Sequence, residues 1–188
     1  MVPINKGVTM RHHDFKCLVA AVLACLMPSL ALALEAVDAA GARQQLVLGA
    51  EPAGALTPTA ARQQLLKAPA NVPQPLVVAG RLGAKGMEPF LENKASFVLV
   101  EIPADDHAKK PGHDADNCPF CKKKQANAPM VAVQFLGADG KVIPVDSRQL
   151  FGIAKGSDVV VKGTAVFDPK LALPIVQFTA DGIFVRGQ

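Results

Sequence analysis

Two histidines and two cysteines, His107, His113, Cys118 and Cys121, fall within fifteen consecutive positions of the 188-residue chain. Their spacing is His-x5-His-x4-Cys-x2-Cys. A Cys-x-x-Cys pair can set both thiolates on one metal ion, because the intervening turn brings the sulfurs together. Asn117 or Cys118 can start a short helix with Pro119 in its first turn. A thiol at a helix N-terminus has its pKa lowered, which favours the thiolate that binds metal or reacts. Pro111-Gly112 supplies the reversal that lets His107 and His113 fold back and complete a tetrahedral Cys2His2 set. Two thiolates and two imidazoles suit zinc, and soft thiolates also suit copper(I). Asp105, Asp106, Asp114 and Asp116 are better placed as hydrogen-bond partners or solvating groups than as ligands, since nitrogen and sulfur donors lie nearby. Lys109, Lys110, Lys122, Lys123 and Lys124 form a solvated basic face.

Other chemistry stays open at this point. In an oxidising compartment Cys118 and Cys121 can form a disulfide, with both histidines as ordinary loop residues. Cys-Pro-Phe-Cys also resembles the active-site motif of thioredoxin-like oxidoreductases, but that motif follows a strand in a βαβ context. Here its neighbours are an acidic stretch and a β-rich remainder. Covalent c-type haem attachment needs histidine directly after the second cysteine, and position 122 is lysine. No Gly-x-Ser-x-Gly, phosphate loop or His-Glu-x-x-His motif is present, so an enzyme with an activated serine or a carboxylate pair is poorly supported. Three functions remain: a metal-binding module, a thiol-disulfide protein, and a barrel that grips an oligomeric ligand or protein partner.

The elements that must position this cluster lie on either side of it. Residues 103–128 are far longer than an ordinary hairpin loop. Before them, Leu76–Leu82 is β-rich, with Gly80 expected as a bulge, and Ser96–Ile102 is a second apolar strand. After them, Met130–Leu136 alternates Val131, Val133 and Phe135 on one face. Ala138-Asp139-Gly140 reads as a turn, with Lys141–Val145 returning as the second arm of a hairpin. Asp146 can cap a short helix, Ser147–Phe151, which Gly152 ends. Val159, Val161, Ala165 and Phe167 line one face of a long strand that carries Gly163, where close backbone approach is expected. A last strand, Ile175–Val185, bends at Asp181-Gly182.

Residues 34–74 are rich in Ala, Pro and Gln, and read as a low-complexity tether with one or two helical turns. Thr59–Lys67 is the candidate helix, with Thr59 as its N-cap. The pentamer Ala-Arg-Gln-Gln-Leu occurs at Ala42–Leu46 and again at Ala61–Leu65, too few copies for a stacked array. Residues 1–33 read as a secretory signal peptide. Lys6, Arg11 and Lys16 form a basic region, Leu18–Leu26 an apolar run too short to span a bilayer comfortably, and Ala31-Leu32-Ala33 the cleavage signature. Met10 is an alternative start. This predicts export to the periplasm or the extracellular space and no transmembrane span in the mature chain.

The leader carries three of the 20 Lys and Arg and one of the 16 Asp and Glu, leaving 17 against 15 in the mature chain. So small a net charge argues against a nucleic-acid binder, which shows a dominant basic face. With neither Trp nor Tyr, base stacking would fall to Phe alone.

The element order resembles an OB-fold, a five-stranded Greek-key barrel with a helix between its third and fourth strands. The expected fold is therefore mainly β: an OB-like barrel with one short helix over residues 75–188, preceded by the leader and the tether, with the His/Cys segment 103–128 inserted. His107 to Cys121, the stretch Gly-Lys-Val-Ile-Pro-Val-Asp-Ser-Arg-Gln-Leu-Phe at 140–151 and Asp-Gly-Ile-Phe-Val-Arg at 181–186 together resemble small exported bacterial proteins of uncharacterised function. In those proteins a His/Asp-rich stretch ends in Cys-Pro-Phe-Cys and an OB-like region follows. The resemblance implies a fold and no established activity. The exported haem chaperone of cytochrome c maturation is also an OB barrel, but no histidine follows His113 here.

Overall fold

Alternation of apolar residues builds the strands of this protein, and each strand turns one row of side chains into the barrel core. The computed structural model describes residues 38–69, 71–102, 118–120, 123, 128–170 and 175–187. The expected leader, His107, His113 and Cys121 lie outside the described residues. The elements are α1 (Ala39–Leu46), α2 (Pro58–Leu65), β1 (Gln74–Leu82), β2 (Ser96–Val100), β3 (Val131–Phe135), α3 (Ser147–Phe151), β4 (Asp158–Val166) and β5 (Val176–Val185).

The strands close into a mixed five-stranded barrel in the order β1-β2-β3-β5-β4. All pairings are antiparallel except β3 with β5, which runs parallel from Val131↔Val176 to Phe135↔Ala180. Inside lie Leu76, Val78 and Leu82 of β1, Phe97 and Leu99 of β2, and Val131, Val133 and Phe135 of β3. Val159, Val161 and Ala165 of β4 and Val176, Phe178 and Ile183 of β5 complete the lining.

The inward row of β5 changes parity between Ala180 and Ile183. Lys162 pairs with Gly182 and Gly163 with Ala180, so Asp181 is an extra residue on β5. That bulge keeps Ile183 in the core after the shift. Opposite it, a Cβ on Gly163 would meet the Thr179 carbonyl oxygen and lie 2.8 Å from Ala180 Cα, so the expected close approach is present. Gly80 behaves differently from its expected role. β1 runs through it without a register shift against β4. The glycine instead admits β2, since a Cβ there would lie 2.9 Å from Leu99 Cβ.

The helix after β3 forms where local chemistry puts it. Asp146 accepts a hydrogen bond from the Arg148 amide, and Gly152 ends the helix at φ 68°. Its Leu150 and Phe151 plug one end of the barrel, with the Phe151 ring 4.7 Å from that of Phe135. Ser147 is fully buried, with its hydroxyl 3.2 Å from the Lys94 and Ser96 carbonyl oxygens. The expected return arm 141–145 is not a strand. It reduces to one bridge, Leu136↔Val142, because Pro144 has no amide to donate and Asp146 must already open α3.

The expected single helix and flexible tether are both corrected among residues 38–69. Two eight-residue helices lie there, and both pack on the barrel. α2 begins at Pro58 and not at Thr59. Thr57 is its N-cap, accepting from the Ala60 amide, and Pro58 takes the first helical position, where no amide is needed. Pro58, Ala61 and Leu65 are buried, which no tether would achieve. Between the helices the chain makes two isolated parallel bridges, Val47↔Ile183 and Leu56↔Val78.

Candidate functional site

The His/Cys segment leaves the barrel after β2 and returns at β3. Its two stems are held from outside the two strands. On the outgoing stem, Glu101 carries a carboxylate that accepts from the Thr59 amide at 3.0 Å and from the Thr59 hydroxyl at 2.8 Å. The first turn of α2 thus holds the chain where β2 ends, and a carboxylate there suits the helix N-terminus. On the returning stem, Lys85 donates to the Ala128 carbonyl oxygen at 2.6 Å. Partial burial pushes the Lys85 ammonium below its ordinary pKa. Pro129 and Met130 are buried just beyond it.

The barrel end from which the segment emerges is closed by α2. Ala61 and Leu65 enter the core, and the Arg62 guanidinium lies 5.3 Å from the centre of the Phe167 ring. Stacking on an aromatic face offsets part of the cost of covering that cation. Arg62 Nε is nevertheless buried without a hydrogen-bond partner.

Of the four candidate ligands, the described residues include Cys118 alone, which is half-buried. Pro119, Phe120 and Lys123 are helical, so the expected helical turn with Pro119 near its start is present among the described residues. Phe120, between the two cysteines, is 73 % exposed. His107, His113 and Cys121, like Asp105, Asp106, Asp114 and Asp116, lie outside the described residues. Among the described residues, no three of His, Cys, Asp and Glu converge as a metal-holding group. The donor set itself, two thiols and two imidazoles, has the chemistry that zinc or copper(I) takes.

Sequence reasoning did not find the stem contacts. Thr59 carried a capping signal but spends its hydroxyl on Glu101, 42 residues away. Lys85 sits in a Gly-rich turn with no local sign of a distant carbonyl partner.

Two shallow clefts lie elsewhere. One, of about 430 Å³, runs among Leu56, Gln64, Leu76, Lys162, Thr164 and Asp181. The other, of about 310 Å³, separates α1 from residues 136–143. Among the described residues no helix is long and apolar enough to cross a membrane. No family model, curated protein or solved structure matches the chain.

Proposed function

We propose that this is an exported metal-binding module, in which a small barrel carries one zinc or copper(I) ion on the segment between β2 and β3. The observation that carries the reading is the gathering of His107, His113, Cys118 and Cys121 within fifteen positions, between two stems anchored to the barrel. Cys118 and Cys121 would supply thiolates, and His107 and His113 imidazoles. The ion would act as a structural clasp or a carried cargo. Nothing in the donor set assigns it a reaction.

The barrel is of the OB type in this reading. The strand order, the parallel β3–β5 pair and a helix between β3 and β4 support that assignment. OB barrels grip oligomers and protein partners, and a partner of that kind is part of the proposal. Cleavage after Ala33 would release the mature chain to the periplasm or the exterior.

Elemental analysis of the purified mature chain, with a count of reactive thiols, tests the metal reading. One zinc or copper per chain is expected, with loss of tight binding in Cys118→Ser, which removes a thiolate no neighbour replaces. His113→Ala weakens binding less, since water or an aspartate can take its place. The barrel should keep its melting temperature in both variants, because its core lies outside the segment. A reduced chain that takes up neither ion, and whose two thiols vanish on air oxidation, would make the Cys118–Cys121 disulfide the better account.

A further inference from the structure

The larger cleft, of about 430 Å³, lies on the outer face of β1, β4 and β5. Small-molecule sites span roughly 300–1,000 Å³. Alternation along paired strands sets four side chains on this face in register, Pro75 opposite Thr164 and Val77 opposite Lys162. Leu56 and Gln64 of α2 form the wall. Leu56 is fixed there by its amide, which donates to the Val77 carbonyl at 2.9 Å. Asp181 joins from β5 by way of the bulge. Gly163 pairs with Ala180, so without the extra residue Asp181 would stand straight across from Lys162. The bulge gives that place to Gly182 and turns Asp181 aside, its carboxylate 3.9 Å from the Lys162 ammonium. Bulges re-aim side chains in this way and are over-represented beside active sites.

The polar groups of this cleft are left open, unlike the arginine pairs of the same molecule. Arg81 meets Asp158 at 2.7 Å, Arg148 meets Asp146 at 2.7 Å and Arg186 meets Glu51 at 2.6 Å. At 3.9 Å Lys162 and Asp181 attract one another without a hydrogen bond. Among the described residues, the side chains of Gln64, Lys162, Thr164 and Asp181 make no hydrogen bond. Lys162 and Asp181 are both exposed, so their mutual attraction is weak and each can take another partner at little cost. Beside them Leu56, Pro75 and Val77 present apolar surface.

We propose that this cleft binds a free α-amino acid with an apolar side chain. The ligand carboxylate meets the Lys162 ammonium and the ligand ammonium meets the Asp181 carboxylate, which closes an alternating ring of four charges. Charge complementarity selects a zwitterion, because an anion alone is repelled by Asp181 and a cation alone by Lys162. The two charged groups of an α-amino acid hang from one carbon, so both can reach a pair standing 3.9 Å apart, which the two ends of a peptide do not. Leu56, Pro75 and Val77 receive the side chain, and Gln64 and Thr164 offer an amide and a hydroxyl to the polar end. This inference is independent of metal binding.

Amide NMR of the mature chain titrated with L-leucine tests this. Saturable shifts are expected at Val77, Lys162, Thr164 and Asp181. N-acetyl-leucine lacks the ammonium and leucine amide lacks the carboxylate, and each should bind at least about tenfold more weakly, the loss of one charge-assisted contact. Asp181→Asn should erase the preference for leucine over N-acetyl-leucine, and Lys162→Met the preference over leucine amide. Both side chains are exposed, so both variants should keep the melting temperature of the parent chain. No saturable shift at millimolar leucine, shifts confined to other residues, or equal binding of the three compounds would overturn the proposal. So would a preference that survives in its folded variant. The three-compound comparison on the parent chain decides the matter if a variant does not fold.

Discussion

The pentamer Ala-Arg-Gln-Gln-Leu ends two helices of equal length, and the two copies meet different fates. In α1, Ala42 and Leu46 pack on the core but stay partly exposed, and no residue of the helix is fully buried. In α2, Ala61 is wholly buried and Leu65 is 4 % exposed. The arginines diverge as well. Arg43 donates to the Leu150 carbonyl at 2.9 Å, tying α1 to the end of α3. Arg62 lies over Phe167. Identical side chains at identical helical positions thus serve as a surface brace at one end of the barrel and as a core plug at the other. Local sequence makes the helix in both cases, and the neighbouring surface decides how much of it is buried.

The largest expected effect removes the comparison altogether. A mature chain cut back to start near Asn71 should lose its cooperative thermal transition, because α2 no longer covers the barrel end and Leu56 no longer covers the β1 edge. Calorimetry of the shortened chain checks this, and an unchanged transition would restore the tether reading of residues 34–74.

Next come the paired leucines. Leu65→Ala should cost about 3 kcal/mol, the range for emptying a buried leucine site. Leu46→Ala should cost about 1 kcal/mol, since Leu46 is only partly buried and its site already reaches water. Denaturant unfolding of both variants gives the ratio, and equal costs would show that burial in α2 carries no special weight.

The caps should erase the asymmetry. Asp38 accepts from the Gly41 amide at 3.1 Å, and Thr57 accepts from the Ala60 amide at 3.2 Å. Asp38→Ala and Thr57→Ala should each cost about 1 kcal/mol, because capping satisfies an amide next to the cap whatever lies beyond it. A Thr57→Ala cost several times that of Asp38→Ala would mean that the cap, too, depends on the core.

The smallest effect sharpens the comparison through α3, whose cap is charged and paired. The Arg148 guanidinium, 2.7 Å from Asp146, holds that carboxyl at about 2, below its ordinary 3.8. The folded value is the lower one, so the contribution is complete above the ordinary carboxylate pKa and is shed as pH falls toward 2. Arg148 is 45 % exposed, so screening keeps the effect to about 1 kcal/mol or less. The stability gap between the parent chain and Asp146→Asn should therefore narrow from pH 5 to pH 2 in urea titrations. A gap constant over that range would rule the charge out.

Much of the barrel was legible from the residues. Val131, Val133 and Phe135 alternate without interruption, and β3 forms within a residue of its expected bounds. The helix at Ser147–Phe151 has its start and stop written beside it in Asp146 and Gly152. The bend at Asp181-Gly182 showed as the one break in an apolar strand, and it is the bulge. Residues 34–74 misled because prolines and polar residues read as a tether. Their packing needs only one apolar residue per helical turn, as at Ala61 and Leu65. The His/Cys segment was legible as a donor set through spacing alone, while its anchoring by Thr59 and Lys85 was not.

The sequence by itself determined the five barrel strands, the short helix between Asp146 and Gly152, and which four side chains could share an ion. Those outcomes depend on contacts a few residues apart, where side-chain period and capping chemistry act. Only the tertiary structure decided which copy of the pentamer enters the core, that Glu101 meets Thr59, and that Val47 and Leu56 bridge to Ile183 of β5 and Val78 of β1. Those bridges are backbone hydrogen bonds, which almost any residue can make. The surfaces that receive them exist only once strands far apart in the chain have paired.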